Sequence, residues 1–196
     1  TAGILRNARN QDSGDLPREV QLLRDLRGAN VESTPPSDEG AGMGELIYDI
    51  APGIQMAFHT AFGGEAVFAD GIRRLGASAA EGGADCTIIV DDVRYLAQPV
   101  YQADLITIAA EEVVKKGIPF FSAAGNDGSS TFRQRYQDIA PLVSEESRPT
   151  RGFDLHRWPN GTAFLPIPAG VTIFLKWNQP GDSIPGSQGA EIDLDM

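Results

Sequence analysis

The chain has 196 residues, of which 41% are hydrophobic, and its 27 Asp and Glu against 16 Lys and Arg give a formal net charge of -11. This composition predicts an ordinary soluble protein with a sizeable core, and because no basic stripe interleaved with aromatic residues is present, nucleic acid is not an expected partner. No apolar run in the sequence is long enough to cross a membrane, and Cys86, its single cysteine, excludes an internal disulfide and a cysteine-based metal cluster.

Hydrophobic periodicity predicts strands and helices in alternation along much of the chain. The apolar patch at 20–26 fits either a strand or a short helix. The elements predicted after it are a helix over about 37–50, a strand at 54–61, a helix from 65, a strand at 86–90, a helix near 101–116 and a strand at 118–124. This alternation indicates an α/β fold in which helices flank a parallel sheet.

The helix near 101–116 carries two lysines in its last turn, where the helix dipole favours positive charge. Gly117 follows as the expected C-cap. The side chains predicted to face the core are Leu105, Ile108, Ala109, Val113 and Val114.

The composition changes after about residue 140, where Pro and Gly replace the helical periodicity. Residues 171–177 (VTIFLKW) alternate with period two, as antiparallel strands do. We place a domain boundary in the polar segment 145–151. We predict a partial α/β domain at 1–145. Residues 151–196 are predicted to begin an antiparallel β-sandwich module, either inserted or appended, that continues beyond the sequence.

Polar residues follow two predicted strands at the edge where an open parallel sheet places its functional site. Asp91 and Asp92 come after the strand at 86–90, and Gly125 and Asn126 come after the strand at 118–124. A turn role for Asn126 stays open, since Asn tolerates the left-handed backbone conformation. Adjacent strand residues point in opposite directions, so one of the two carboxylates could face a cleft or bind a cation, or it could cap a loop.

No metal cluster is predicted from the spacing of potential ligands. His59 lies on a predicted strand and His156 in the β segment. Isolated histidines of this kind are more often structural or surface residues than metal ligands.

Three stretches resemble the subtilisin-like serine peptidases in their order and spacing. IPFFSAAGNDG (118–128) is similar to the strand that ends in an Ala-Ala-Gly-Asn motif, and the helix at 37–50 followed by Ala-Pro-Gly resembles the family's His-bearing helix. DCTIIVDDV (85–93) stands where the family has the strand lining the substrate cleft. The resemblance implies that Asn126 donates its amide N–H to the oxyanion of the tetrahedral intermediate, beside Gly125 and substrate-binding residues Asp91 and Asp92.

The sequence departs from this family at the catalytic positions. Glu39, in the helix start DEGAGM (38–43), stands where the family has His. The sedolisins, relatives of the subtilisins, use a Glu as general base supported by an Asp one helical turn later, and that later position here is Met43. Glu39 is therefore either a replacement base or a plain first-turn stabiliser of the helix.

The family's nucleophilic Ser, in a Gly-Thr-Ser motif, and its first catalytic Asp find no match in the sequence. Ser183 lies in a Pro- and Gly-rich segment typical of a turn. We expect both catalytic residues to lie outside residues 1–196, so the chain alone is predicted to be inactive.

The residues and the resemblance together predict a serine endopeptidase that hydrolyses peptide bonds through an acyl-enzyme, with Asn126 in the oxyanion hole. The alternative is a catalytically decayed, peptidase-like binding or cell-surface protein. The resemblance also implies peptide or protein substrates, a secreted or cell-surface location and stabilising Ca²⁺ ions, whereas the residues themselves indicate no cofactor.

Overall fold

A computed structural model describes residues 13–25, 38–128, 131–139, 155–179 and 186–190. The chain divides into two compact units, one formed by Thr1–Gly125 with Lys176–Met196 and the other by Asn126–Leu175. The boundary predicted at 145–151 lies outside the described residues. None of the described helices is both long and apolar enough to cross a membrane.

The first unit is built from strands and helices in alternation, as predicted. Its elements are β1 (Val20–Arg24), α1 (Glu39–Ile50), β2 (Met56–His59), α2 (Glu65–Leu75), β3 (Ile89–Asp91), α3 (Leu105–Lys115) and β4 (Phe120–Ser122). Residues 20–24 of the apolar patch form the strand β1. The helix predicted from residue 65 ends at Leu75, before Gly76 and a short 3-10 helix at Ala79–Glu81. The prediction of an α/β fold is confirmed at this level.

The strands of the first unit form two parallel pairs. Val20 pairs with Met56 where β1 meets β2, and Ile89 pairs with Phe120 where β3 meets β4. Parallel neighbours need a crossover connection, and α1 and α3 lie between the strands of each pair. Both strands of a pair therefore end at the same edge, which positions the residues that follow β3 and β4 beside each other.

The main core of the first unit lies where α2 and α3 pack together and against β3. Its buried members are Phe68, Ala69, Ile72, Ile89, Ile106, Ala109 and Val113. A smaller cluster of Leu16, Val20 and Ala41 joins the start of β1 to α1.

The face that α3 buries matches the prediction at Ala109 and Val113 and differs from it at the ends of the helix. Leu105 and Val114 are 42% and 52% exposed, and Ile106 takes the inward position with Ala109 and Val113. The buried residues follow the spacing i, i+3, i+7 of one helical face. Apolar residues occupy more than one face of this helix, so packing against α2 decides which face is buried.

The second unit contains a short antiparallel pair, β5 (Asp138–Ile139) with β6 (Leu155–His156). Beside the pair, the rings of Phe132, Trp158, His156 and Tyr136 form a continuous series of contacts. The strand predicted at 171–177 is wrong, since the structure has no strand there and the apolar side chains of 171, 173 and 174 are exposed. A period-two pattern forms a strand only when a partner satisfies its backbone, and none of the described residues pairs with this segment.

Candidate functional site

The carboxyl ends of β3 and β4 are held together by Asp91. Asp91 lies directly opposite Ser122 in the parallel register, and the Ser122 hydroxyl donates to Asp91 Oδ1 at 3.1 Å. The Ala123 N–H donates to the Asp91 carbonyl at 3.2 Å, which extends the pairing by one residue. These two contacts fix the point at which the chain leaves β4 towards Gly125.

The two adjacent carboxylates at the end of β3 have different environments. Asp91 is only 9% exposed, and its Oδ1 also accepts from the Val93 N–H at 3.2 Å. Burial raises the pKa of the Asp91 carboxyl, and the charge of Asp92 acts in the same direction. Asp92 is exposed, as expected for its neighbour on a strand. Asp91 thus organises the strand ends, and Asp92 is the carboxylate accessible to a ligand.

Tyr95 connects the segment after β3 to the end of β2. Its hydroxyl donates to the Ala61 carbonyl at 2.6 Å, and its ring stacks on Phe68 of α2 with centroids 6.1 Å apart. Burial raises the pKa of this phenol. The carboxyl ends of β2, β3 and β4 are therefore linked through Tyr95 and Asp91 into one edge of the first unit.

Gly125 makes the turn that follows β4. Its φ of +75° lies in the left-handed region, which glycine adopts without steric cost. Asn126 follows with an exposed side chain. Among non-glycine residues in the described part of the chain, only Asp85 has a positive φ, so Asn126 is not the left-handed turn residue that the sequence left open. The turn needs Gly125, and the backbone conformation does not explain why Asn follows it.

Glu39 is the first residue of α1 and is exposed. The helix start packs on β2, since a Cβ at Gly40 would lie 2.9 Å from Phe58 Cε2. Met43, one turn later, is half-buried. Glu39 belongs to the first unit and Asn126 to the second.

Asp91, Asp92 and Gly125 thus share one edge of the first unit. Sequence reasoning missed Ser122 and Tyr95, whose partners lie 31 and 34 residues away along the chain. Ser122 ends a predicted strand directly opposite Asp91, so a register assignment could have found it. No sequence signal pointed to the pairing of Tyr95 with Ala61.

A metal centre is not formed by the described side chains, since they contain no group of three or more His, Cys, Asp or Glu placed to hold an ion. We therefore assign no calcium ligands. In comparisons with known proteins, no family model, curated protein or solved structure matches the chain. The functional argument depends on the motifs and on the geometry at the ends of β3 and β4.

Proposed function

We propose that this chain carries the oxyanion-stabilising part of a serine-type endopeptidase, with Asn126 as the amide donor. The observation that carries the proposal is the position of Asn126. Asn126 is exposed and directly follows the left-handed Gly125, four residues after the end of β4 at Ser122. Functional groups in parallel α/β sheets lie at this carboxyl edge.

The chemistry requires a donor where negative charge develops. A serine oxygen attacks the carbonyl carbon of the peptide while its proton passes to a base, and the carbonyl oxygen becomes an oxyanion. The Asn126 N–H then donates to this oxygen, an interaction that typically contributes about 3–4 kcal/mol to the transition state. Collapse of the intermediate expels the amine, which takes the proton from the base, and water later releases the acyl group.

In this proposal Glu39 is the base that receives the serine proton. Its exposed position at the N-terminus of α1 makes the carboxylate accessible. The proposal assigns no nucleophile among residues 1–196 and requires a serine from elsewhere in the protein. Asp92, as the exposed carboxylate beside the strand ends, is assigned to the substrate side of the site.

A second candidate is a peptidase-like binding protein without catalysis. The half-buried Met43 favours it, because a thioether cannot polarise or orient a Glu base as a carboxylate does. In that case the edge formed by Asp91 and Asp92 would hold a peptide without cleaving it.

The test uses the full-length natural protein with a quenched fluorescent peptide library and a fluorophosphonate probe that labels reactive serines. The peptidase proposal predicts cleavage and labelling. Asn126→Leu should lower kcat by about 10²–10³-fold with little change in KM, since the interaction is made in the transition state. Glu39→Gln should also lower kcat.

Matched controls separate these effects from general damage. Asp49→Asn removes another exposed carboxylate of α1, and Asn178→Leu removes another exposed amide. Both should retain the wild-type kcat. Wild-type rates in Asn126→Leu would refute the role of this residue, and peptide binding without cleavage or labelling would favour the second candidate.

A further inference from the structure

His59, the last residue of β2, is a buried histidine, and one of its ring nitrogens has no hydrogen-bond partner among the described residues. The side chain is 9% exposed, and Nδ1 lies 2.8 Å from the Thr60 carbonyl oxygen. Because a carbonyl only accepts, Nδ1 carries a proton in this contact. Nε2 is buried and has no hydrogen-bond partner among the described residues. A second proton on this ring would therefore be a buried donor without an acceptor.

Helix α2 leaves the ring little freedom to move. A Cβ placed on Gly71 would lie 2.3 Å from His59 Nδ1, so the imidazole packs directly on the helix backbone. The charged groups that act on the ring are Asp70 and Arg74 from α2 and Arg24 from β1. Burial is the main cause that lowers the pKa of His59, and the charges of Arg74 and Arg24 lower it further. The hydrogen bond to Thr60 and the charge of Asp70 act in the opposite direction.

The end of β2 is connected to the candidate site by hydrogen bonds. The Thr60 N–H donates to the Arg24 carbonyl at 3.0 Å, which continues the pairing with β1. One residue further, the Ala61 carbonyl accepts from the Tyr95 hydroxyl at 2.6 Å. Tyr95 lies on the segment that follows Asp91 and Asp92, so this bond connects the His59–Ala61 stretch to that segment.

We propose that His59 is a proton-sensitive switch that, when it takes up a proton on Nε2, detaches the end of β2 from α2 and releases the Tyr95 segment beside the candidate site. The proton comes from solvent, and no other bond changes. At neutral pH the uncharged ring stays packed on α2, and the Tyr95 segment keeps its hydrogen bond to Ala61. In acid the charged ring leaves its buried position for water, because no acceptor for Nε2 is present among the described residues.

The experiment is amide hydrogen exchange on the chain at pH 7.5 and pH 5.0, corrected for intrinsic rates. The reporters are the Thr60 N–H and the Gln98 N–H, which donates to the Tyr95 carbonyl at 3.1 Å. Linkage predicts that the opening equilibrium grows by up to about tenfold per pH unit once the pH falls below about 6.5, the ordinary pKa of His. The Ile118 N–H, bonded to the Val113 carbonyl at 3.1 Å, is the reporter that should not respond.

Three variants make the test specific. His59→Gln keeps an N–H for the Thr60 carbonyl and cannot titrate, so the acid response should vanish at both reporters. His156→Gln removes the chain's other histidine and should keep the full response. Tyr95→Phe removes the hydrogen bond from Tyr95 to the Ala61 carbonyl. The Thr60 N–H should then still lose protection in acid, whereas the protection of the Gln98 N–H, after correction for intrinsic rates, should not change with pH.

Equal protection at both pH values in the wild type, or an acid response that survives in His59→Gln, would overturn the proposal. If His59→Gln does not fold, an NMR titration of His59 in the wild type replaces it, and a pKa at or above 6.5 gives the same negative result. None of these readouts is peptidase activity. The switch can therefore fail while the proposed function stands, and the reverse also holds.

Discussion

Substitution of Gly71 by Ala tests the packing between α2 and the end of β2. Ala is the better helix former by about 1 kcal/mol, so helix propensity alone predicts a more stable protein. The new Cβ would lie 2.3 Å from His59 Nδ1 and 2.9 Å from Cε1 and Cγ, all below the closest approach that real side chains adopt. Overpacking of this kind costs about 1–3 kcal/mol, and the buried ring has little room to retreat. The two effects together give a net loss of up to about 2 kcal/mol in the free energy of unfolding.

Urea unfolding followed by circular dichroism at 222 nm measures this loss, because α1, α2 and α3 all belong to the first unit. Gly42→Ala in α1 is the matched control. No atom lies within 4 Å of its added Cβ, so it should stabilise the protein by about 0.5–1 kcal/mol. In a double-mutant cycle, the Gly71→Ala penalty should disappear in a His59→Ala background. A Gly71→Ala variant stabilised by about 1 kcal/mol, as helix propensity alone predicts, would refute the close contact.

Further predictions concern the strand ends and the two packed helices. Asp91→Asn keeps an acceptor for the Ser122 hydroxyl and removes a buried charge, so it should be at least as stable as the wild type at pH 7. Asp91→Ala leaves the Ser122 hydroxyl without this acceptor and should lose about 1–3 kcal/mol of unfolding free energy. An Asp91→Ala variant more stable than Asp91→Asn would contradict the contact. Burial raises the pKa of Asp91 in the folded protein, so the wild type should gain stability as the pH falls through that pKa towards about 3.9, the ordinary Asp pKa. Asp91→Asn cannot take up this proton and should show no such gain in urea titrations. Asp104→Ala removes the side chain that caps α3 and should lower the free energy of unfolding by about 1 kcal/mol, whereas Asp104→Asn should be close to the wild type. Equal losses in the two variants would exclude the cap. A double-mutant cycle on the partly exposed Arg73–Glu112 pair should give a coupling below about 1 kcal/mol that salt weakens, and a larger, salt-independent coupling would contradict this.

Local signals in the sequence predicted the order of elements in the first unit. The helix α1 follows an Asp at its N-cap position and ends before Pro52–Gly53, and Gly117 follows α3 with a φ of +87°. These features depend on backbone chemistry within a few residues, which a sequence shows directly.

Contacts between distant segments could not be predicted in the same way. The burial of Asp91 depends on β4, and the bond from Tyr95 to Ala61 joins segments 34 residues apart. The inward face of α3 depends on the surface of α2, since its apolar residues fit more than one face. For the candidate site, the motif identified Asp91, Asp92, Gly125 and Asn126, and the structure added the distinction between a buried Asp91 and an exposed Asp92.

The role of His59 illustrates a second limit of sequence reasoning. A single histidine on a strand favours a structural interpretation, and the ring is indeed buried. Its contact with Gly71, and the lack of a partner for Nε2 in the described part of the chain, appear only when β2 and α2 are placed together. Whether a buried histidine is inert or proton-sensitive depends on such partners, which no local pattern specifies.

The most direct test of the central claim is a crystal structure of the full-length protein with a peptidyl phosphonate bound to its reactive serine. The phosphonyl oxygen stands in for the oxyanion of the tetrahedral intermediate. The account predicts the Asn126 side-chain nitrogen about 2.7–3.1 Å from that oxygen. An Asn126 amide turned away from the phosphonate to hydrogen-bond its own loop would contradict the account.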